Sequence, residues 1–121
     1  MTETTAADQV RLLTALTTDA SPLDAPARAY ITTLMTSVAG DQSWGVSAAA
    51  DPDTNPALKN GWLPRDATGL WVINSIGRIT HAGHPLLIAI LSDNQRSMPT
   101  GVAQLESVVE TITPAVTNAL N

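Results

Sequence analysis

Pro85-Leu86-Leu87-Ile88-Ala89-Ile90-Leu91-Ser92 is apolar throughout instead of alternating between apolar and polar positions. A short run of this kind, set between a Gly-containing link and a Ser-Asp-Asn turn, predicts a strand with both faces covered, as found inside a sheet. Two further strand candidates precede it, Ala57 to Leu63 and Gly69 to Arg78. Short turn-bearing links, Pro64-Arg65-Asp66 and His81-Ala82-Gly83-His84, join the three, which predicts an antiparallel meander. The third strand of a meander is an edge, yet here it is the most apolar of the three. Exposed apolar edges pair with other chains. The pattern therefore predicts a missing neighbour for Pro85–Ser92.

Helices flank this sheet in the sequence. Thr5 with Asp8 three residues on resembles a capping box, and Ala6, Val10, Leu13 and Leu16 follow at helical spacing. Ser21-Pro22 breaks that helix. Asp24 can cap a second one, with Pro26 tolerated in its first turn. The expected buried face of the second helix is Ala27, Tyr30, Ile31, Leu34, Met35 and Val38, with Gly40 ending it. Trp44 to Ala48 reads as a short strand, and the prolines of Asp51-Pro52-Asp53-Thr54-Asn55-Pro56 as a turn. Thr100 to Leu120 is helical, with an apolar stripe of Val102, Leu105, Val109, Ile112 and Val116. Pro114 is expected to kink that helix, or to start a new short one after Thr113. The fold class is thus α+β of the three-layer α/β/α type, in one domain spanning the chain.

Composition limits function more than it reveals it. The 121 residues suffice for one core. The six basic residues are scattered and outnumbered by eleven acidic ones, giving a net charge of −5, which argues against a nucleic-acid footprint. With no cysteine there are no disulfides and no thiolate metal sites. No apolar run is long enough to span a membrane. The polar N-terminus, Met1-Thr2-Glu3-Thr4-Thr5, does not read as a signal peptide, so the expectation for the chain as written is the cytosol. No cofactor is implied. With no Phe and one Tyr, the three tryptophans carry nearly all the aromatic bulk, and Trp44, Trp62 and Trp71 are expected in core or rim packing.

Ala57-Leu58-Lys59-Asn60-Gly61-Trp62-Leu63-Pro64 contains a Lys-Asn-Gly triplet. Together with its surroundings, the triplet resembles the Lys-Thr/Ser-Gly motif on the active-site edge strand of penicillin-recognising serine hydrolases, the β-lactamases and penicillin-binding proteins. Thr4-Thr5-Ala6-Ala7-Asp8-Gln9 resembles the start of the helix after the omega loop in class A β-lactamases. Trp71-Val72-Ile73-Asn74-Ser75-Ile76-Gly77 and Leu87-Ile88-Ala89-Ile90-Leu91-Ser92 resemble the two following strands, and an amphipathic C-terminal helix closes the match. The pattern is most like actinobacterial β-lactamase-like hydrolases and covers nearly the whole chain.

The resemblance implies an extracytoplasmic or secreted parent and a set of roles on one strand. Lys59 would supply positive charge beside a substrate carboxylate, and Asn60 a donor to it. Gly61 would permit close approach, and the Trp62 backbone N–H would be one arm of an oxyanion hole. Asn60 stands where the family prefers Thr or Ser. Lys59 is the sole lysine, and a Ser-x-x-Lys motif ending there would need serine at position 56, which is Pro56. The nucleophile motif is therefore absent, and an omega-loop glutamate would precede Thr4. The implied partner is an N-terminal segment of the same hydrolase. An interaction module that forms a homo-oligomer through the Pro85–Ser92 edge is the alternative.

Plainer readings stand beside these. Asn60-Gly61 is a strong hairpin-turn signal. Ser92-Asp93-Asn94 spells the family's second motif but follows the Lys-Asn-Gly triplet where it should precede it, so it is read as turn chemistry. His81 and His84 lie in a Gly-containing link and read as a hairpin tip, not a metal site. Asp51 and Asp53 belong to a proline-bounded turn, with calcium the weaker reading.

Overall fold

The computed structural model describes residues 2–121. Helix α1, Ala6–Thr17, starts at the expected cap: the Thr5 hydroxyl accepts from the Asp8 N–H at 3.1 Å and donates to the Asp8 carboxylate at 2.9 Å. A cap of this kind contributes about 1 kcal/mol. Helix α2, Ala25–Met35, starts at Asp24, whose carboxylate accepts from the Ala27 N–H at 2.9 Å. It stops at Met35, well before Gly40, and Gly40–Gln42 forms a single 3-10 turn.

Three strands follow, β1 (Ala57–Pro64), β2 (Trp71–His81) and β3 (His84–Gln95), in an open antiparallel sheet of order β1-β2-β3. The predicted meander is therefore present, with β3 continuing three residues past the Pro85–Ser92 run, to Gln95. The β2–β3 turn is Ala82-Gly83, both at positive φ (49° and 76°), the backbone of a type I′ hairpin. Asp51 holds this tip by accepting from the Ala82 and Gly83 N–H groups at 2.8 and 2.9 Å.

Pairing register sorts the side chains. Leu58 opposes Gly77 and Ile88 opposes Gly77 from the other side, so these residues share a face with Ile73, Ser75, Ile79, Leu86 and Ile90. That face packs on helix α3, Met98–Ala119, and on a 3-10 turn at Val46–Ala49. Val46, Leu58, Ile79 and Val109 are all nearly inaccessible there, and full burial of each contributes about 1.5–3 kcal/mol. A second cluster joins Trp44, Ile73 and Leu105, with Trp71 against it. Helices α1 and α2 lie against the opposite face. Three layers result.

Several sequence expectations are corrected. Trp44 to Ala48 is not a strand. Gly45 sits at φ +87° and the chain turns into the Val46–Ala49 3-10 helix. The α2 face does not carry the buried stripe its periodicity predicts: Tyr30 is 66% and Leu34 53% exposed, and no residue of α2 is fully buried. The α3 stripe is rotated, because Leu105 and Val109 are buried but Ile112 and Val116 are 40% and 47% exposed. Thr113 and Thr117 take their places. Each can be buried because its hydroxyl donates to a carbonyl one turn back, Val109 O at 2.6 Å and Thr113 O at 3.2 Å. Pro114 lies on the exposed side and α3 runs through it unbroken.

Candidate functional site

Among the described residues, β1 is an outer strand whose one partner is β2. Asn60 and Gly61 lie in the middle of it, opposite Ser75 and Asn74, so the triplet Lys59-Asn60-Gly61 is strand and not a hairpin turn. Alternation then separates the expected site residues. Lys59 and Gly61 belong to the face shared with α2, and Asn60 and Trp62 to the face shared with α3.

Lys59 is exposed, and its ammonium donates to the Asn60 carbonyl. A Cβ on Gly61 would meet nothing within 4 Å, and its φ is not positive, so neither close packing nor backbone geometry within the chain requires glycine there. Beside an exposed lysine, it leaves open space over the strand.

Asn60 points inward. It is 6% exposed, and its amide donates both N–H groups, to Gln42 O at 2.8 Å and to Trp44 O at 2.9 Å. No donor is left for a ligand carboxylate, against the role expected from the resemblance. Longer than Thr or Ser, the amide reaches two backbone carbonyls of the 42–44 segment and ties that segment to the sheet. Its Oδ1 and the Trp44 indole N–H are buried without partners among the described residues. Two more side chains hold the same segment: Ser75 accepts from the Val46 N–H at 2.9 Å and Glu106 from the Gly45 N–H at 3.0 Å. Trp44 then packs edge-on against Trp62, ring centroids 5.7 Å apart. The tryptophans are core and rim, as expected. This buried polar tie was not visible in the sequence, because an Asn in a Lys-Asn-Gly triplet gives no sign of which face it will take.

The other candidates have structural duties. Ser92 donates to Ile73 O at 2.6 Å. Asp93 forms a two-pronged pair with Arg65, at 3.1 and 3.0 Å, and Asn94 takes φ 57°. From Ser92 to Gln95 β3 advances three residues while β2 advances two, from Ile73 to Trp71, so Ser92-Asp93-Asn94 forms a bulge. The Arg65 guanidinium holds the Asp93 carboxyl below the usual carboxylate range, helped by the Asn94 N–H, and Arg65 is correspondingly raised. His81 faces Ala49 O at 2.6 Å and His84 faces Asn121 at 2.9 Å. Among the described residues no cluster of three or more His, Asp or Glu side chains could hold a metal ion, and no helix is long and apolar enough to cross a membrane.

A hollow of about 570 Å³ lies on the Lys59 face between Thr2, Glu3 and Thr4, the Arg65–Asp93 pair and Asn74. Arg65 is already held by Asp93, so the hollow offers no uncompensated cation. No family model matches the chain, and no curated protein matches it.

Proposed function

We propose that this chain is the sheet-bearing part of a β-lactamase-like serine hydrolase, and that β1 is its substrate strand. The observation that carries the reading is the pairing of an exposed Lys59 with an unobstructed Gly61 in mid-strand, on an outer strand whose free edge faces no other element of the sheet. A lysine there attracts the carboxylate of a β-lactam or an acyl-D-alanyl peptide, and the missing side chain at Gly61 admits the ligand to the backbone. The Trp62 N–H remains the candidate oxyanion donor. Asn60 acts indirectly in this reading, by fixing the 42–44 segment beside β1 and so keeping Trp44 against Trp62.

The chain supplies no Ser-x-x-Lys nucleophile, so turnover requires another segment that carries one. The test is co-expression with the N-terminal part of a class A β-lactamase, through its omega loop, and measurement of chromogenic cephalosporin hydrolysis. The complex should hydrolyse the substrate and this chain alone should not. A stable complex without turnover would count against the proposal.

A further inference from the structure

Asn60-Gly61 is the one Asn-Gly pair in the chain, and an asparagine before glycine is chemically fragile. The Gly61 backbone nitrogen can attack the Asn60 side-chain carbonyl carbon, because no side chain at Gly61 shields it. The new N–C bond closes a five-membered succinimide, and the side-chain nitrogen leaves with the Gly61 proton as ammonia. Water then opens the ring at either carbonyl. The product is an aspartate at 60, or an isoaspartate whose backbone runs through the former side chain. The other internal asparagines lack such a neighbour. Asn55 precedes Pro56, which has no N–H, and Asn74, Asn94 and Asn118 precede residues that carry side chains.

The fold opposes every part of this step. In mid-strand the Asn60 side chain stands away from the sheet on the α3 side, whereas the Gly61 N–H lies in the sheet plane. Both N–H groups of the leaving nitrogen are committed, to Gln42 O at 2.8 Å and Trp44 O at 2.9 Å. Oδ1, where negative charge gathers during attack, has no hydrogen-bond donor among the described residues. Asn60 is almost wholly buried, which also keeps out the water. We propose that Asn60-Gly61 is a deamidation site that folding holds shut, so that opening of β1 exposes it and the product cannot refold. An aspartate at 60 turns a carboxylate toward two backbone carbonyls, a set of acceptors with no donor. An isoaspartate inserts an extra carbon into the backbone of β1 and breaks its register with Ser75 and Asn74. Unfolding thus becomes irreversible by covalent chemistry, and the time spent unfolded sets the loss. None of this requires β1 to bind a substrate.

For the test, the full chain is held folded in buffer or unfolded in urea, at the same mildly alkaline pH and temperature. Peptide mapping by mass spectrometry follows loss of the Asn60 amide in each sample. The folded chain should lose it at least about a hundredfold more slowly, because strand opening is rare. After dilution from urea, chains that keep the amide should regain the native circular dichroism spectrum. Converted chains, separated by their added negative charge, should not. Gly61→Ala leaves Asn60 in place, and should stay refoldable through a urea incubation that spoils the native sequence. Asn60→Asp, made directly, should unfold at lower urea than Asn60→Ala or fail to fold, since it adds a buried charge to the lost tie. Equal rates in the folded and unfolded chain would overturn the proposal. So would converted chains that refold with the native Tm, a Gly61→Ala variant lost as fast as the native sequence, or Asn60→Asp as stable as Asn60→Ala.

Discussion

Asn60 and Ser75 face each other directly across β1 and β2, and both reach into the same segment of backbone, Asn60 to Gln42 O and Trp44 O and Ser75 to the Val46 N–H. The pair fastens the 42–46 segment to the sheet on the α3 side. Removing the amide leaves the Trp44 carbonyl buried without its donor. Asn60→Ala should therefore lower the unfolding free energy by about 2 kcal/mol, read by urea denaturation. Asn60→Thr should be destabilising too, because one hydroxyl cannot serve two carbonyls. If Asn60→Thr were neutral or stabilising, the amide would not be the tie described.

Two glycines should respond in opposite ways. Gly45 is at φ +87°, and a methyl group there would come within 2.2 Å of the Ser75 hydroxyl, so Gly45→Ala should lose more than about 3 kcal/mol. Gly61 has open space around it, and Gly61→Ala should change stability by no more than about 0.5 kcal/mol. A large loss at Gly61 would show that its openness is structural and not available to a ligand.

Pro114 lacks the N–H that would bond Glu110 O, and it sits exposed within a continuous helix. Pro114→Ala should raise stability by about 1–3 kcal/mol, seen as a higher Tm. A lower Tm would mean that the proline ring makes a contact the helix needs.

The β2–β3 hairpin should carry an acid-sensitive tie. Hydrogen bonds from the Gly83 and then the Ala82 N–H hold Asp51 below the ordinary carboxylate range, with His81 adding a smaller attraction. A carboxyl with a depressed folded-state pKa stabilises the fold at pH above its unfolded value, and that contribution disappears as pH falls through the folded value. Protection of the Ala82 and Gly83 amides should thus persist at neutral pH and fade below about pH 4. Asp51→Ala should abolish this dependence at both amides. Unchanged protection in that variant would show that the carboxylate does not hold the turn.

The sheet was legible because turn chemistry and apolar runs coincide in this sequence. His81-Ala82-Gly83-His84 marks a hairpin, and the strands on either side follow from it. Two helix starts were legible for the same reason, since Thr5 and Asp24 carry local signals, whereas α3 starts at Met98 behind its Ser97 cap, two residues before the expected Thr100. Facing was not. Periodicity gives several apolar positions on α3 but cannot choose between Ile112 and Thr113, and threonine becomes the buried one because its hydroxyl bonds within the helix. Trp44 to Ala48 read as a strand because tryptophan and valine favour one. Gly45, held by Glu106 and pressed against Ser75, breaks the segment through contacts distant in sequence. At the candidate site, the Lys59-Asn60-Gly61 strand was visible, but the inward turn of Asn60 depended on pairing register.

The proposal that β1 is a substrate strand rests most heavily on Lys59. In the complex with a nucleophile-bearing β-lactamase segment, the decisive measurement is kcat/KM for a chromogenic cephalosporin with native Lys59 and with Lys59→Ala. Loss of a charged contact to the substrate carboxylate should reduce it by about a hundredfold or more, with the complex still assembled by light scattering. Equal values for the two proteins would contradict the account.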